Sequence, residues 1–167
     1  CTPEYGTKCR EAITDNVYPE IQHAVDLARE RRDATEPGCP AHEAFRHLYD
    51  RLVGVQCWFR TQRNVAGWIE GVHGYIEAES KDEKTRCRAL VRKIVLDEKE
   101  NAKALLAHAE SATTDWMLVS GLGETTFIYG ENFKELLRRK IELMEGREDD
   151  EPYIDPDFMW RVPGQNC

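Results

Sequence analysis

Three side chains near the end of the second predicted helix, at about residues 41–79, are of types that bind metals. Glu70 and His73 form a Glu-x-x-His unit, and Glu77 follows one helical turn later. Residues three and four apart share one face of an α-helix, and carboxylate-bridged di-iron bundles use this arrangement. Those centres need two such units and two further glutamates, whereas Glu43 and His47 are spaced four apart. The pattern therefore favours a histidine packed beside the core, with a metal site as the less favoured alternative.

A polar layer is predicted inside the bundle. Gln62 lies on the apolar stripe of the second helix, and Glu98 and Asn101 lie on the third. If the two helices form an antiparallel hairpin that turns near Ser80, Gln62 and Arg63 lie level with Glu98 and Asn101. Buried polar groups need partners, so we expect a hydrogen-bonded layer. This layer either fixes the pairing of the helices or contacts a ligand.

Aromatic side chains beside polar ones form a third candidate site. Rings next to acidic and amide groups are a common surface for sugars, and they are equally good anchors of protein interfaces. Packing in the core is their commonest role. The candidate binding residues are Arg63, Asn64, Trp68, Tyr75, Trp116, Tyr129, Tyr153 and Trp160.

Composition excludes several classes of protein. The chain has 167 residues, and its 31 acidic and 23 basic side chains give a net charge of -8. This balance argues against binding to a nucleic-acid backbone. The apolar runs are too short to span a bilayer. No signal or transit peptide is visible, which indicates a mature chain or an excised fragment.

The elements that must position these residues are helices. Apolar periodicity predicts one all-α domain, a bundle of four main helices at about 17–33, 41–79, 82–110 and 131–145. Residues 1–16 are predicted to be irregular, and residues 147–167 to be irregular but ordered. The predicted core stripe of the second helix is Phe45, Leu48, Leu52, Val55, Phe59, Gln62, Ala66, Ile69, His73 and Ile76. Gly67, Gly71 and Gly74 either let another helix approach closely or break the second helix in two.

The six cysteines bear on the compartment of the protein. They are Cys1, Cys9, Cys39, Cys57, Cys87 and Cys167. Their spacing excludes a zinc ribbon or a thioredoxin-type motif. An even count favours an exported protein with at least one disulfide, and buried thiols are the alternative. Cys9–Cys57 is favoured over Cys57–Cys87, and a Cys1–Cys167 bridge would close the whole chain.

A family resemblance is carried by Arg63-Asn64 with Trp68, by Gly71-Val72-His73-Gly74-Tyr75, by Trp116-Met117, by the run 123–132 and by Tyr153-Ile154-Asp155-Pro156. With these residues the chain resembles helical regions toward the C-terminal ends of large exported bacterial glycoside hydrolases. The resemblance implies an accessory helical module beside a catalytic domain, and it identifies no catalytic residue.

A second resemblance is to exported all-helical chorismate mutases, which hold a dianionic substrate with basic side chains. Arg60, Arg63, Arg88 and Arg92 would supply them here. The negative net charge and the stop at Pro163 place this resemblance below the first one.

We therefore expect a helical accessory or binding module of an exported, carbohydrate-linked protein, with an aromatic and acidic surface for a glycan or an adjacent catalytic domain. The alternatives are a small all-α enzyme with its site inside the bundle, or a protein-interaction domain. No cofactor, nucleic-acid partner or transmembrane segment is expected. Whether the protein is an enzyme is left open.

Overall fold

The fold was analysed in a computed structural model, which describes residues 2–112, 114 and 132–155. The prediction of an all-α helical bundle is confirmed. The helices are α1 (Pro3–Ala12), α2 (Tyr18–Asp33), α3 (Pro40–Glu77), α4 (Lys81–Ser111) and α5 (Phe133–Met144), and a π-helical turn, Ile13–Val17, joins α1 to α2. The helices from α2 onward begin and end within about two residues of the predicted bounds. None of the described helices is long and apolar enough to cross a membrane.

The prediction that residues 1–16 are irregular is wrong. The Thr2 side chain accepts a hydrogen bond from the backbone N–H of Tyr5, and Pro3 occupies the first turn, where it sacrifices no helical hydrogen bond. Gly6 serves packing rather than a turn: a Cβ atom there would lie 2.6 Å from the carbonyl oxygen of Ala66 on α3. Helix α1 therefore runs through the π-helical turn into α2 without a break.

Helix α3 continues through its glycines because α4 packs against them. A Cβ atom added at Gly67 would lie 2.6 Å from Cδ1 of Ile94, and one at Gly71 would lie 2.6 Å from Cγ2 of Val91. Of the two sequence interpretations, close helix approach is right and a helix break is wrong. The turn between the helices ends in a capping box formed by Ser80 and Glu83.

The core of α3 lies on a different face from the predicted one. Among the ten residues of the predicted stripe only Ala66 is buried, while Leu48, Val55 and Ile76 are exposed. Helix α4 approaches the small and polar face instead, so Gly54, Cys57, Thr61, Asn64 and Gly71 are among the residues buried there. A hydrophobic cluster therefore forms between α3, α4 and α5. It consists of Cys57, Ala102, Leu105, Ala109, Phe133 and Leu137.

Helix α3 is the centre of the bundle. Helices α1 and α2 pack on one of its flanks and α4 on another, whereas α5 packs on α4. A groove remains between α3 and α5, with α4 as its floor. After α5, residues 147–155 form the predicted irregular segment, which packs back on the bundle; residues 156–167 lie outside the described part.

The disulfide prediction is wrong for the cysteines that the structure describes. Cys9, Cys39, Cys57 and Cys87 are free thiols. The favoured Cys9–Cys57 bridge fails because Arg10 pairs with Glu70, so α1 contacts α3 well beyond Cys57. Burial raises the pKa of the Cys57 thiol to about 11, so the thiol stays protonated at neutral pH. Cys1 and Cys167, between which a bridge would close the whole chain, lie outside the described residues.

Candidate functional site

The groove between α3 and α5 brings together two of the predicted binding residues, Trp68 and Tyr153. Its volume is about 530 Å³. We call it the aromatic groove, and it is lined by Trp68, Val72, Val91, Val95, Leu143, Met144, Arg147, Asp150, Glu151, Pro152 and Tyr153. Trp68 is 40% exposed and Tyr153 is 71% exposed, so both rings offer surface to a ligand.

The wall after α5 is held in place by two arginines of α4. Gly146, with a φ of +74°, turns the chain at the end of α5. Arg92 Nε then donates to Oδ1 of Asp149 at 2.9 Å, and Arg88 Nη2 donates to the backbone carbonyl of Asp149 at 2.6 Å. These bonds fix the segment that carries Arg147, Asp150, Glu151 and Tyr153 against the bundle.

Tyr75 acts behind the groove rather than in it. Its hydroxyl donates to Oε1 of Glu151 at 2.6 Å. This hydrogen bond to a carboxylate raises the pKa of Tyr75, because loss of the phenol proton would place two negative charges side by side. Tyr75 therefore positions Glu151, which lines the groove.

The aromatic groove combines apolar and charged surface. The floor and lower walls are aliphatic, with Val72, Val91 and Val95. The rim carries the guanidinium of Arg147 and the carboxylates of Asp150 and Glu151, which supply donors and acceptors. A volume of about 530 Å³ lies within the range of small-molecule sites. The groove can therefore hold a ligand that has both an apolar face and hydroxyl groups.

Arg63 and Asn64, which were predicted to bind a ligand, belong to a partly buried ionic network instead. Asp97 accepts hydrogen bonds from Arg60 at 2.7 Å, from Arg63 at 2.8 Å and from Asn64 at 2.9 Å. Partial burial by itself would raise the pKa of Asp97, but the bonds from Arg60 and Asn64 lower it to about 2. Arg63 also stacks on Tyr18, with its Cζ atom 5.4 Å from the ring centroid. The network ties α2, α3 and α4 together.

Two of the three residues of the predicted polar layer, Glu98 and Asn101, lie in one hydrogen-bonded group with Thr61. Glu98 accepts from Thr61 at 2.7 Å, and Asn101 Nδ2 donates to Thr61 Oγ1 at 3.0 Å. Lys140 of α5 also binds Glu98. Gln62 is half-buried on another face and makes no side-chain hydrogen bond to a described residue. Thr61 takes part instead of Gln62 because Thr61 lies on the face of α3 that carries the glycines, and this is the face that α4 packs against.

A polar cluster at the other end of the hairpin was missed by sequence reasoning. The hydroxyl of Thr114 donates to Oδ2 of the buried Asp50 at 2.6 Å and lies 2.9 Å from Nδ1 of His47. His108 Nε2 lies 3.1 Å from the backbone carbonyl of Asp50. No short sequence motif predicts this cluster, because Thr114 lies beyond the end of α4 and is more than sixty residues away from its partners on α3. It joins the end of α4 to the start of α3.

The metal-binding unit that was considered does not assemble. Glu70 Oε2 accepts from Arg10 Nε at 2.7 Å and is engaged with α1. Glu77 is exposed, and His73 is half-buried. A further Glu-x-x-His unit, Glu20 and His23, was overlooked in the sequence, and both side chains are exposed on α2. Within the described residues no three His, Cys, Asp or Glu side chains form a group that could hold a metal ion.

The four arginines of the chorismate mutase resemblance do not form one site. Arg60 and Arg63 of α3 bind Asp97 in the middle of α4, whereas Arg88 and Arg92, near the start of α4, bind Asp149 after α5. Each pair faces an acidic residue of the chain itself. The remaining predicted binding residues, Trp116, Tyr129 and Trp160, lie outside the described residues.

Comparison of the chain with protein-family models, with curated proteins and with solved structures finds no match. Both resemblances therefore stay predictions from the sequence.

Proposed function

We propose that this protein is a helical binding module that takes a neutral carbohydrate in the aromatic groove. The observation that carries the proposal is the position of Trp68 and Tyr153: both rings are exposed, and both line one groove beside Arg147, Asp150 and Glu151. A sugar has an apolar C–H face that stacks on a ring and hydroxyls that both donate and accept. The groove offers complementary groups for each of these features.

The charges of the site favour a neutral ligand over an acidic one. The groove contributes one guanidinium against two carboxylates, on a chain with a net charge of -8. A polyanion would meet repulsion both at the site and over the whole molecule. Asp150 and Glu151 can instead accept hydrogen bonds from sugar hydroxyls.

The wider setting of the module belongs to the same proposal. We infer an accessory role beside a catalytic domain of an exported, carbohydrate-linked protein, and this rests on the sequence resemblance. Because the described cysteines are free thiols, disulfide bonds no longer support the prediction that the protein is exported. The aromatic groove is independent of that question, since it depends only on α3, α4, α5 and residues 147–153.

Affinity electrophoresis and calorimetry with a panel of soluble neutral polysaccharides test the proposal. Replacing Trp68 or Tyr153 by alanine is expected to weaken binding about tenfold, since a lost ring contact costs roughly 1.4 kcal/mol. Tyr5→Ala is the matched control, because Tyr5 is an exposed ring on α1 outside the groove. Binding that responds equally to Tyr153→Ala and Tyr5→Ala would contradict the proposal, as would the absence of binding to every polysaccharide.

A further inference from the structure

The polarity of the aromatic groove changes with depth. Every lining residue whose side chain can form hydrogen bonds is exposed; these residues are Trp68, Arg147, Asp150, Glu151 and Tyr153. Every lining residue that is buried or half-buried is apolar; these residues are Val72, Val91, Val95, Met144 and Pro152. Leu143 is exposed and apolar. Hydrogen-bonding side chains therefore lie at the rim, and the interior of the groove is aliphatic.

Among the described residues, the interior of the groove offers no partner to a sugar hydroxyl. Val72 of α3 is 1% exposed and Val91 of α4 is 7% exposed, and both lie in the middle of their helices. The backbone N–H and C=O groups at such positions are bonded within the helix, and Pro152 has no N–H group. A hydroxyl in the interior would lose its hydrogen bonds to water without replacement, which weakens binding about fivefold or more. A sugar ring therefore fits at the rim and not in the interior.

The aliphatic interior matches a short apolar group attached to the sugar. Val91 and Val95 are one turn apart on α4, so this part of the floor extends about 6 Å along the helix. Met144, the last residue of α5, lines the groove from the other side. An alkyl chain or an aromatic ring of this length can leave water and contact these side chains while the sugar stays at the rim. The groove volume of about 530 Å³ is in the range that holds a ligand with two such parts.

We propose that the aromatic groove binds a neutral sugar that carries a short apolar substituent, as an alkyl or aryl glycoside does. This inference rests on the proposed function and names the class of ligand for the same site. The sugar ring lies at the rim against Trp68 and Tyr153, where charged side chains meet its hydroxyls. The substituent enters the interior beside Val95 and Met144. The segregation of polar and apolar lining residues by depth carries the proposal, since a plain sugar has no part that matches the interior.

Calorimetric titration with alkyl β-glucosides and β-galactosides of increasing chain length measures the effect of the substituent. From the methyl to the hexyl glycoside, the dissociation constant is expected to fall about twofold or more for each added methylene group, because each one leaves water. The gain should level off at the octyl glycoside, whose chain is longer than the floor of the groove.

A membrane glycolipid has the same chemistry as a soluble glycoside, and a second measurement distinguishes these two sources. Phosphatidylcholine vesicles that contain galactosylceramide are sedimented with the protein. Once the effect of chain length is seen, co-sedimentation that hexyl β-galactoside reverses supports a glycolipid as the source. The absence of co-sedimentation then supports a soluble glycoside.

Substitutions in the interior test where the substituent lies. Val95→Thr replaces a methyl group of the half-buried wall by a hydroxyl, and it should lower the ratio of the methyl to the hexyl dissociation constant about fivefold. Met144→Gln is expected to act in the same way, and it replaces Val95→Thr if that variant loses its helical circular dichroism. Val65→Thr is the matched control, because Val65 is 47% exposed on α3 and does not line the groove. It should leave the ratio unchanged.

The outcomes separate this inference from the proposed function. Equal dissociation constants for methyl and hexyl glycosides would overturn the inference alone, since a plain sugar would still bind. No binding by any glycoside or polysaccharide would overturn both. Hexanol that binds as tightly as the hexyl glycosides would overturn the inference, because the sugar would then contribute nothing. A chain-length effect that is unchanged in both Val95→Thr and Met144→Gln would overturn it as well, because the substituent would then lie outside the groove.

Discussion

Asp97 is the residue on which three helices depend. Its carboxylate receives hydrogen bonds from Arg60, Arg63 and Asn64, and Arg63 in turn stacks on Tyr18 of α2. The side chain is 28% exposed, so water screens these interactions only in part. Loss of the carboxylate would leave two arginines without their partner in the middle of the bundle. The free energy of unfolding should therefore depend on the protonation of Asp97.

The pH dependence has a definite sign. The pKa of Asp97 falls from its ordinary value of 3.8 to about 2 in the folded state, so the unfolded chain binds more protons in this range. The corresponding stabilisation of about 2 kcal/mol is complete above about pH 4 and is lost as the pH falls through about 2. Urea unfolding of wild type and Asp97→Asn between pH 5 and pH 2 should show a difference that shrinks with acid.

A matched variant separates this effect from general acid unfolding. Asp149 also binds an arginine, Arg92, but its side chain is 70% exposed. Asp149→Asn should change the free energy of unfolding by well under about 1 kcal/mol. A constant difference between wild type and Asp97→Asn across the pH range would refute the role given to the Asp97 carboxylate.

At the scale of elements, the bundle depends on glycines that allow helices to touch. Gly6 brings α1 onto α3 so closely that an added Cβ would lie 2.6 Å from both the carbonyl oxygen of Ala66 and the amide nitrogen of Glu70. Both atoms belong to a helical backbone and cannot rotate away. The packing of the first helix therefore requires a residue without a side chain at this position.

Gly6→Ala should destabilise the fold despite the better helix propensity of alanine. Displacing α1 from α3 is expected to cost about 2 kcal/mol or more, against a propensity gain of about 1 kcal/mol. Gly74→Ala is the control, because the nearest atom there is Cys87 Sγ at 3.0 Å, a side-chain atom. The midpoint of thermal unfolding should be lower for Gly6→Ala than for the wild type, whereas the midpoint of Gly74→Ala should be close to that of the wild type. Equal midpoints would contradict the close-contact interpretation.

Short-range sequence patterns predicted most helix boundaries. Contacts between residues far apart in the sequence determine the features that these patterns did not predict. Ser80 and Glu83 announce the start of α4 because a capping box is a short-range pattern. Pro3 and Gly6 led to the wrong prediction for residues 1–16, because both resemble turn residues. Pro3 instead occupies the first turn of α1, and Gly6 is explained only by the backbone of α3, sixty residues away. The predicted core stripe of α3 was wrong, because apolar periodicity does not show which face of a helix its neighbours cover.

At the scale of the whole molecule, the candidate site was predictable in part. Trp68 and Tyr153 were singled out as aromatic residues near polar ones, and they share one groove. Arg63 and Asn64 were singled out on the same ground, yet they are internal partners of Asp97. The difference arises from the direction in which each side chain leaves α3, which depends on where α4 packs. Sequence alone did not establish that direction.

The aromatic groove lies between α3 and α5. Binding of a neutral carbohydrate in this groove is the central claim.

Fluorescence titration with short neutral oligosaccharides tests that claim most directly. A sugar that stacks on Trp68 displaces water from an exposed indole, so the tryptophan emission of the wild type should shift in a saturable manner. Trp68→Phe keeps a ring in the groove but removes the reporting indole, and it should abolish the shift while calorimetry still detects binding. An emission shift that persists undiminished in Trp68→Phe, or no shift with any oligosaccharide, would contradict the account.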